Sequence, residues 1–166
     1  IIVVFQPELR SALERIGRGR SIFTGERAVK SEKTIDELVR AMTSLSRQKI
    51  GALVVLEREV GLNDIVESGT TLGADVSSEL LINIFIPNTP LHDGAVIISS
   101  DKIRAAACYL PLSNSNTISK ELGTRHRAAV GISERSDCLV VVVSEETGNI
   151  SVIESGRIDR YLDEDS

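Results

Sequence analysis

Short apolar runs alternate along this chain with segments of helical periodicity. Of all features of the sequence, this alternation most narrows the folds that the chain can adopt. Ala52–Leu56 and Leu139–Val143 are continuous apolar runs rich in β-branched residues, as expected for strands buried on both faces. Thr34-Ile35-Asp36-Glu37 is a capping-box pattern and predicts a helix start. The apolar residues of one helical face follow it: Ile35, Leu38, Val39, Met42 and Leu45. The sequence therefore predicts a sheet covered by helices.

The same signals predict the remaining elements. Helices are predicted over residues 7–17 and 77–85, and a loop with scattered charges over residues 18–30. Further strands are predicted over residues 95–98, 103–110 and 150–153, with hairpin turns at 99–102 and 145–149. We expect an α/β fold with a mixed, partly antiparallel central sheet flanked by helices. A purely parallel, doubly wound sheet is not expected.

Composition and charge indicate one folded domain. With 166 residues and 42% apolar content, the chain is expected to form a single domain over residues 1–166. The formal net charge of -5 argues against a general nucleic-acid-binding surface, which needs a basic excess. The two cysteines, Cys108 and Cys138, lie in separate apolar runs. This favours neither a disulfide framework nor a zinc site and indicates a reducing compartment.

The chain starts at Ile1, without a methionine. Residues 1–5 are strongly apolar but far shorter than the roughly 20 residues needed to span a bilayer. No basic segment precedes them and no small-residue cleavage site follows them, so no signal peptide is predicted. We expect the sequence to be a domain excised from a longer chain.

Two stretches contain the only two histidines and most of the candidate chemistry. Leu91-His92-Asp93-Gly94-Ala95-Val96 places an imidazole and a carboxylate at the entry of a predicted strand. The second stretch is Gly123-Thr124-Arg125-His126-Arg127-Ala128-Ala129: a short helix is predicted to begin at Arg125, and Gly123 and Thr124 precede it in the cap position. Backbone N–H groups, the positive end of the helix dipole, a hydroxyl and two guanidinium groups can converge there on a phosphate.

Each candidate residue, taken alone, also has an ordinary structural role. These roles are a turn for Asp93-Gly94, a hydrogen-bonded structural histidine for His92 and His126, surface helix charges for Arg125 and Arg127, a solvated turn for Glu145 and Glu146, and a strand aromatic for Tyr109. Only the occurrence of several candidate residues together, most of them in two compact stretches, favours chemistry.

Two longer blocks resemble the signature blocks of bacterial diadenylate cyclases, Asp-Gly-Ala and Arg-His-Arg. They are Asn88-Thr89-Pro90-Leu91-His92-Asp93-Gly94-Ala95 and Leu122-Gly123-Thr124-Arg125-His126-Arg127-Ala128-Ala129-Val130-Gly131. The similarity runs from Phe5-Gln6-Pro7-Glu8-Leu9-Arg10 through Ala52-Leu53-Val54-Val55-Leu56-Glu57 to Val143-Ser144-Glu145-Glu146-Thr147-Gly148. The opening resembles the membrane-anchored class, in which transmembrane helices precede the cyclase domain.

The resemblance implies condensation of two ATP molecules into cyclic di-AMP with release of two pyrophosphates. Each ribose 3′-hydroxyl would attack the α-phosphate of the other ATP across a head-to-head homodimer, assisted by Mn2+, Mg2+ or Co2+. The implied catalytic residues are Asp93, Gly94, Ala95, Arg125, His126 and Arg127. The implied ATP-binding residues are Gly94, Tyr109, Leu110, Gly123, Thr124, Arg125, Arg127, Ser144 and Glu145, and the implied metal contacts are His92, Asp93 and Glu146.

The resemblance also implies where the protein works and with what. It implies no nucleic-acid partner, membrane attachment only through a missing N-terminal region, and regulatory protein partners. The full-length protein would then hold this domain at the cytoplasmic face of the bacterial cell membrane, and the fragment itself would be soluble. Two alternatives stay open at this point. One is a non-catalytic ATP-binding regulatory module, and the other is a metal-dependent nucleotide hydrolase that releases ADP, AMP or phosphate.

Overall fold

One mixed sheet organises the described part of the chain. The structure is a computed structural model and describes residues 25–110, 124–154 and 157–160. The strands are β1 (Ala52–Leu56), β2 (Thr70–Asp75), β3 (Ala95–Ser99), β4 (Lys102–Cys108), β5 (Leu139–Val143), β6 (Ile150–Glu154) and β7 (Arg157–Arg160). Their order across the sheet is β2-β4-β3-β1-β5-β6-β7.

Helices cover both faces of this sheet. The described helices are α1 (Gly25–Arg47), α2 (Asn63–Glu67), α3 (Ser78–Phe85) and α4 (Thr124–Arg135). Helices α1 and α3 pack on one face, and α2 and α4 pack on the other. The Ser77 side chain accepts a hydrogen bond from the N–H of Leu80 at 3.2 Å and so caps the start of α3.

The strand pairing confirms the predicted mixed α/β fold. β1 pairs in parallel with β3, and the other described pairs are antiparallel. The predicted hairpins are present: β3 turns into β4 at Ser100 and Asp101, whose φ angles of 51° and 65° are typical of a tight two-residue turn. The strands predicted over 52–56 and 139–143 match the structure residue for residue.

The apolar strand runs are buried on both faces, as predicted. One cluster joins α1 and α3 to the sheet and includes Leu38, Met42, Phe85, Val54, Val96 and Val141. A second joins α4 to the opposite face and includes Ala129, Ile132, Leu53, Val55, Ile97 and Val140. Because alternate residues of β1, β3 and β5 enter alternate clusters, the sheet is the middle layer of a three-layer arrangement.

The first described helix begins earlier than predicted. α1 starts at Gly25, whereas the sequence predicts a loop over residues 18–30 and a helix start at the Thr34 capping box. The residues from Glu26 to Lys33 include no glycine or proline, so the helix can extend back through them. Thr34 lies inside the helix, where its Oγ1 donates a hydrogen bond to Asp101 Oδ1 at 2.5 Å. No sequence pattern predicted α2, β2 or β7, and the helix predicted over 7–17 lies outside the described residues.

Both cysteines are free and buried, which agrees with the expectation that they form no disulfide framework. Burial raises the pKa of the Cys108 thiol to about 11, so this thiol is protonated at neutral pH. Among the described helices, none combines the length and the apolar character that crossing a bilayer requires.

Candidate active site

One end of the sheet carries the strand termini next to both sequence motifs. β1 and β3 are parallel neighbours and begin at this end. β4 and β5 are antiparallel to them and finish there. The residues directly flanking these four termini are Gly51, Gly94, Tyr109 and Ser144. We call this end of the sheet the motif end.

The Asp93-Gly94 pair lies at the motif end, at the entry of β3, as predicted. Asp93 is exposed, and Ala95, the first residue of β3, is fully buried. Gly94 has a φ of 107° and approaches β4 closely: an added Cβ would lie 2.8 Å from the carbonyl carbon of Ala107 and from the carbonyl oxygen of Cys108. Ala107 has a φ of 56° and lies where the β3–β4 register shifts. The glycine and this bulge together bring the Asp93 segment against β4.

Gly94→Ala should destabilise the fold by roughly 2–6 kcal/mol, since backbone strain and overpacking each cost about 1–3 kcal/mol. Urea unfolding measures this loss. Gly73→Ala is the matched control, because Gly73 also has a positive φ, 60°, but nothing lies within 4 Å of its added Cβ. In the control, the free energy of unfolding should fall only by the cost of backbone strain at a positive φ, about 1–2 kcal/mol. Equal losses in the two variants would contradict the steric part of this prediction.

His92 is fixed by its own loop. Its Nδ1 lies 2.7 Å from the carbonyl oxygen of Thr89. A carbonyl oxygen only accepts, so Nδ1 carries the proton and the lone pair of the neutral ring lies on Nε2. A histidine oriented in this way suits metal coordination through Nε2.

The predicted metal contacts do not form a complete cage by themselves. In residues 25–110, 124–154 and 157–160, no group of three or more His, Cys, Asp or Glu side chains is placed to hold a metal ion. Asp93 and Glu146 are exposed and His92 is half-buried. Mg2+ usually takes one or two carboxylates and completes its shell with substrate phosphates and water. An exposed carboxylate beside an oriented imidazole fits that mode of binding.

The Arg-His-Arg motif occupies the first turn of α4. The helix begins at Thr124, one residue earlier than predicted, so Thr124 lies inside the helix instead of capping it. Gly123 lies outside the described residues. Arg125 and Arg127 are half-buried, and His126 is buried with 6% of its surface exposed. The first described turn of α4 therefore offers two partly exposed guanidinium groups at the N-terminal end of the helix dipole.

Arg125 extends from α4 to the start of β1. A Cβ added to Gly51 would lie 2.6 Å from both Cζ and Nη1 of Arg125, so the guanidinium lies directly against the glycine backbone. The same Nη1 lies 3.4 Å from Oε2 of Glu145, which follows β5. The structure thus brings together two predicted site residues, Arg125 and Glu145, that are distant in sequence.

The turn that carries Glu145 is stabilised by hydrogen bonds within it and by one from the end of α1. Ser144 Oγ accepts hydrogen bonds from the N–H groups of Glu146 and Thr147, at 3.2 and 3.3 Å. Ser46, at the end of α1, donates its hydroxyl to the carbonyl oxygen of Gly148 at 2.5 Å. Ser144, predicted to bind ATP, therefore has a structural role in this turn as well.

Tyr109 and Leu110 follow β4 at the motif end. Tyr109 has 73% of its surface exposed, and its N–H donates to Ser68 Oγ at 2.9 Å. Leu110 is half-buried against the cluster on the α4 face. An exposed ring on a fixed backbone suits stacking against a planar group.

Sequence reasoning missed three residues that shape this site, Gly51, Ser46 and Ser68. Each acts on a residue that is distant in sequence, so no local spacing reveals it. The only sequence signal for Gly51 is its position directly before a buried strand.

Comparison with known proteins identifies relatives of the chain. The family model described as DisA bacterial checkpoint controller nucleotide-binding matches residues 39–158. The chain is 57% identical to cyclic di-AMP synthase CdaA of Bacillus subtilis (strain 168), an alignment that covers 100% of this chain and 62% of the relative. It is 54% identical to a diadenylate cyclase of Listeria monocytogenes serotype 1/2a (strain 10403S), covering 99% and 61%. The chain thus spans about three fifths of the length of these curated relatives.

Solved structures share the fold. A crystal structure of a double mutant of DacA from Staphylococcus aureus matches with a TM-score of 0.77 and 55% identity, over 81% of this chain and 89% of that one. A hypothetical membrane spanning protein from Bacillus cereus matches with a TM-score of 0.71 and 35% identity, over 93% and 89%.

Proposed function

This chain belongs to the DAC family, the DisA bacterial checkpoint controller nucleotide-binding family, and on that premise we propose that it is the catalytic domain of a diadenylate cyclase. The proposed reaction condenses two ATP molecules into cyclic di-AMP and releases two pyrophosphates. The observation that carries the proposal is the meeting of the Asp93 and Arg125 segments at one end of the sheet. Relatives that are 54% and 57% identical and named for this activity support it.

The chemistry is nucleotidyl transfer, performed twice. The 3′-hydroxyl oxygen of one ATP forms a bond to the α-phosphorus of the other, and the bond from that phosphorus to the β-phosphate bridging oxygen breaks. The hydroxyl proton must leave during attack, and we assign Asp93 to receive it. Its carboxylate is exposed at the entry of β3 and so is open to a substrate hydroxyl. Gly94 and Ala95 supply the close-packed backbone that holds this carboxylate in place.

The first turn of α4 is the proposed site for the triphosphate. Arg125, Arg127 and the positive end of the α4 dipole present positive charge where pyrophosphate develops negative charge. We assign Gly123 and Thr124 to the same phosphate contact. We assign buried His126, between the two arginines in the chain, to help position this phosphate contact.

The adenine would lie against Tyr109 and Leu110. The exposed Tyr109 ring offers a stacking surface, and the half-buried Leu110 offers an apolar one. Ser144 and Glu145 lie on the opposite side of β1 from β3, at the end of β5, and we assign them to the phosphate side of the nucleotide.

A divalent cation is part of this proposal. His92, Asp93 and Glu146 are the residues that would hold it, together with phosphate oxygens and water. When bound, Mn2+, Mg2+ or Co2+ would neutralise triphosphate charge and lower the pKa of a coordinated hydroxyl.

Catalysis requires a second copy of the chain. One chain carries one copy of each motif and so holds one ATP, whereas the product joins two. We propose a twofold, head-to-head homodimer in which two motif ends face each other and the two ATPs lie head to tail. No nucleic-acid partner is proposed.

We further propose that residues 1–166 form one catalytic domain held at the cytoplasmic face of the cell membrane by an N-terminal region of the complete protein. The greater length of the relatives and the membrane spanning protein from Bacillus cereus support this location. Regulatory protein partners would act on the same complete protein.

The proposed function predicts that the purified chain, incubated with ATP and Mn2+, converts ATP to cyclic di-AMP and pyrophosphate. Mass spectrometry of the separated nucleotides identifies the product. ADP, AMP or free phosphate as the product would replace the proposal with a nucleotide hydrolase. ATP left unchanged at high protein concentration would replace it with a non-catalytic binding module.

A further inference from the structure

A glycine at the start of β1 lies directly under one of the two motif arginines. Gly51 directly precedes β1 and is buried. Its φ is not in the left-handed region, so its backbone conformation is open to any residue. The backbone therefore does not require glycine here.

Glycine is required at position 51 because a side chain there would collide with Arg125. The atoms that an added Cβ would meet are Cζ and Nη1 of Arg125, at 2.6 Å, and Nε, at 3.0 Å. All three belong to the guanidinium group, and none belongs to the backbone or to the core clusters. A methyl group at Gly51 would thus occupy the place where this guanidinium lies.

The guanidinium is held on a second side by Glu145. The Nη1 to Oε2 distance is 3.4 Å, and the two side chains have 21% and 65% of their surface exposed. An ion pair this exposed on one side contributes little by itself. The absence of a side chain at Gly51 and the fixed turn of Glu145 together determine where the guanidinium lies.

We propose that Gly51 is a positioning residue: by leaving room for the Arg125 guanidinium, it places that group for contact with the phosphates of the nucleotide. The inference rests on the proposed function, in which Arg125 binds the triphosphate. Gly51 itself touches no substrate and acts only through Arg125.

The contact between Gly51 and Arg125 predicts that a substitution at Gly51 lowers ATP affinity without lowering the melting temperature. In Gly51→Ala the methyl displaces the far end of a long side chain and no backbone atom, so the melting temperature should stay close to that of the unsubstituted chain. ATP affinity and kcat/KM should each fall by about 10-fold to 100-fold, the loss expected for one charge-assisted hydrogen bond. Gly61→Ala is the matched control, because nothing lies within 4 Å of its added Cβ, and it should change neither quantity.

A double-mutant cycle tests whether Gly51 acts through Arg125. In the Arg125→Ala background, Gly51→Ala should cause no further loss of ATP affinity or kcat/KM, because the group it displaces is gone. Effects of the two substitutions that multiply would overturn the inference, as would a Gly51→Ala chain with unchanged ATP affinity.

The cycle also separates this inference from the proposed function. If the unsubstituted chain binds ATP but makes no cyclic di-AMP, the proposed function fails and calorimetric ATP affinities still decide the role of Gly51. If it makes cyclic di-AMP and the cycle shows no coupling, only the role of Gly51 fails. If it binds no ATP, both fail.

Discussion

Asp93→Asn should reduce cyclic di-AMP formation by about 10²-fold to 10⁴-fold, the usual contribution of a positioned acid–base group. Asparagine has nearly the same size but cannot take up the proton of the 3′-hydroxyl. Because Asp93 is exposed and outside the core clusters, the melting temperature should change little. Initial rates at saturating ATP, with product measured by mass spectrometry, give the loss directly.

A matched substitution at the other end of the sheet provides the control. Asp75→Asn makes the same chemical change at the end of β2, where Asp75 is exposed and pairs with Lys102. Since an exposed ion pair is worth about 0–1 kcal/mol, this variant should keep its fold and its activity. If Asp93→Asn retained the activity of Asp75→Asn, the assigned role of Asp93 would be wrong.

Dilution should have an effect as large as removal of the carboxylate. If two facing sites are needed, activity per chain should fall in proportion to chain concentration once the dimer dissociates. The aligned pair of nucleotides can supply about 7–11 kcal/mol of the barrier, which a single site forfeits. Specific activity measured over a dilution series, alongside sedimentation to follow dimer and monomer, tests this expectation.

ATP affinity distinguishes loss of the dimer from loss of the fold. Each chain carries its own copy of the proposed phosphate-binding turn at the start of α4, so ATP should bind the dilute monomer with little loss of affinity. Constant specific activity down to a concentration at which the chain sediments as a monomer would exclude the facing-site mechanism.

In this chain, strands and helices could be predicted from the sequence where their apolar pattern is clear. β1 and β5 are uniformly apolar because they are buried on both faces, so their boundaries could be predicted to the residue. β2 lies at the sheet edge, is largely exposed and contains Gly73, so it lacks such a pattern. The start of α1 was missed because a capping box at Thr34 is only a local preference, which an uninterrupted helix-compatible segment overrides.

In the candidate site, too, local motifs could be recognised from the sequence, whereas contacts between distant residues could not. Asp93 and Arg125 stand in compact motifs, so the sequence alone singles out their segments as candidates. The contact of Arg125 with Gly51 and Glu145 could not, because it depends on which strands become neighbours. Strand order is set by packing across the whole sheet, and one sequence does not reveal it.

The uniformity of β1 and β5 has a consequence for how the chain finds its alignment. Five successive pairs from Ala52–Val143 to Leu56–Leu139 join almost interchangeable apolar residues. A slide of two residues would keep the same faces buried, so these strands carry little information about their own alignment. Contacts where the strands end carry that information, among them the hydrogen bonds from Glu59 and Val60 N–H to the Asp137 carboxylate and the bond from Ser46 to Gly148. The fit of Arg125 over Gly51 is a further such contact. Contacts around the candidate site therefore also help to hold β1 and β5 in register.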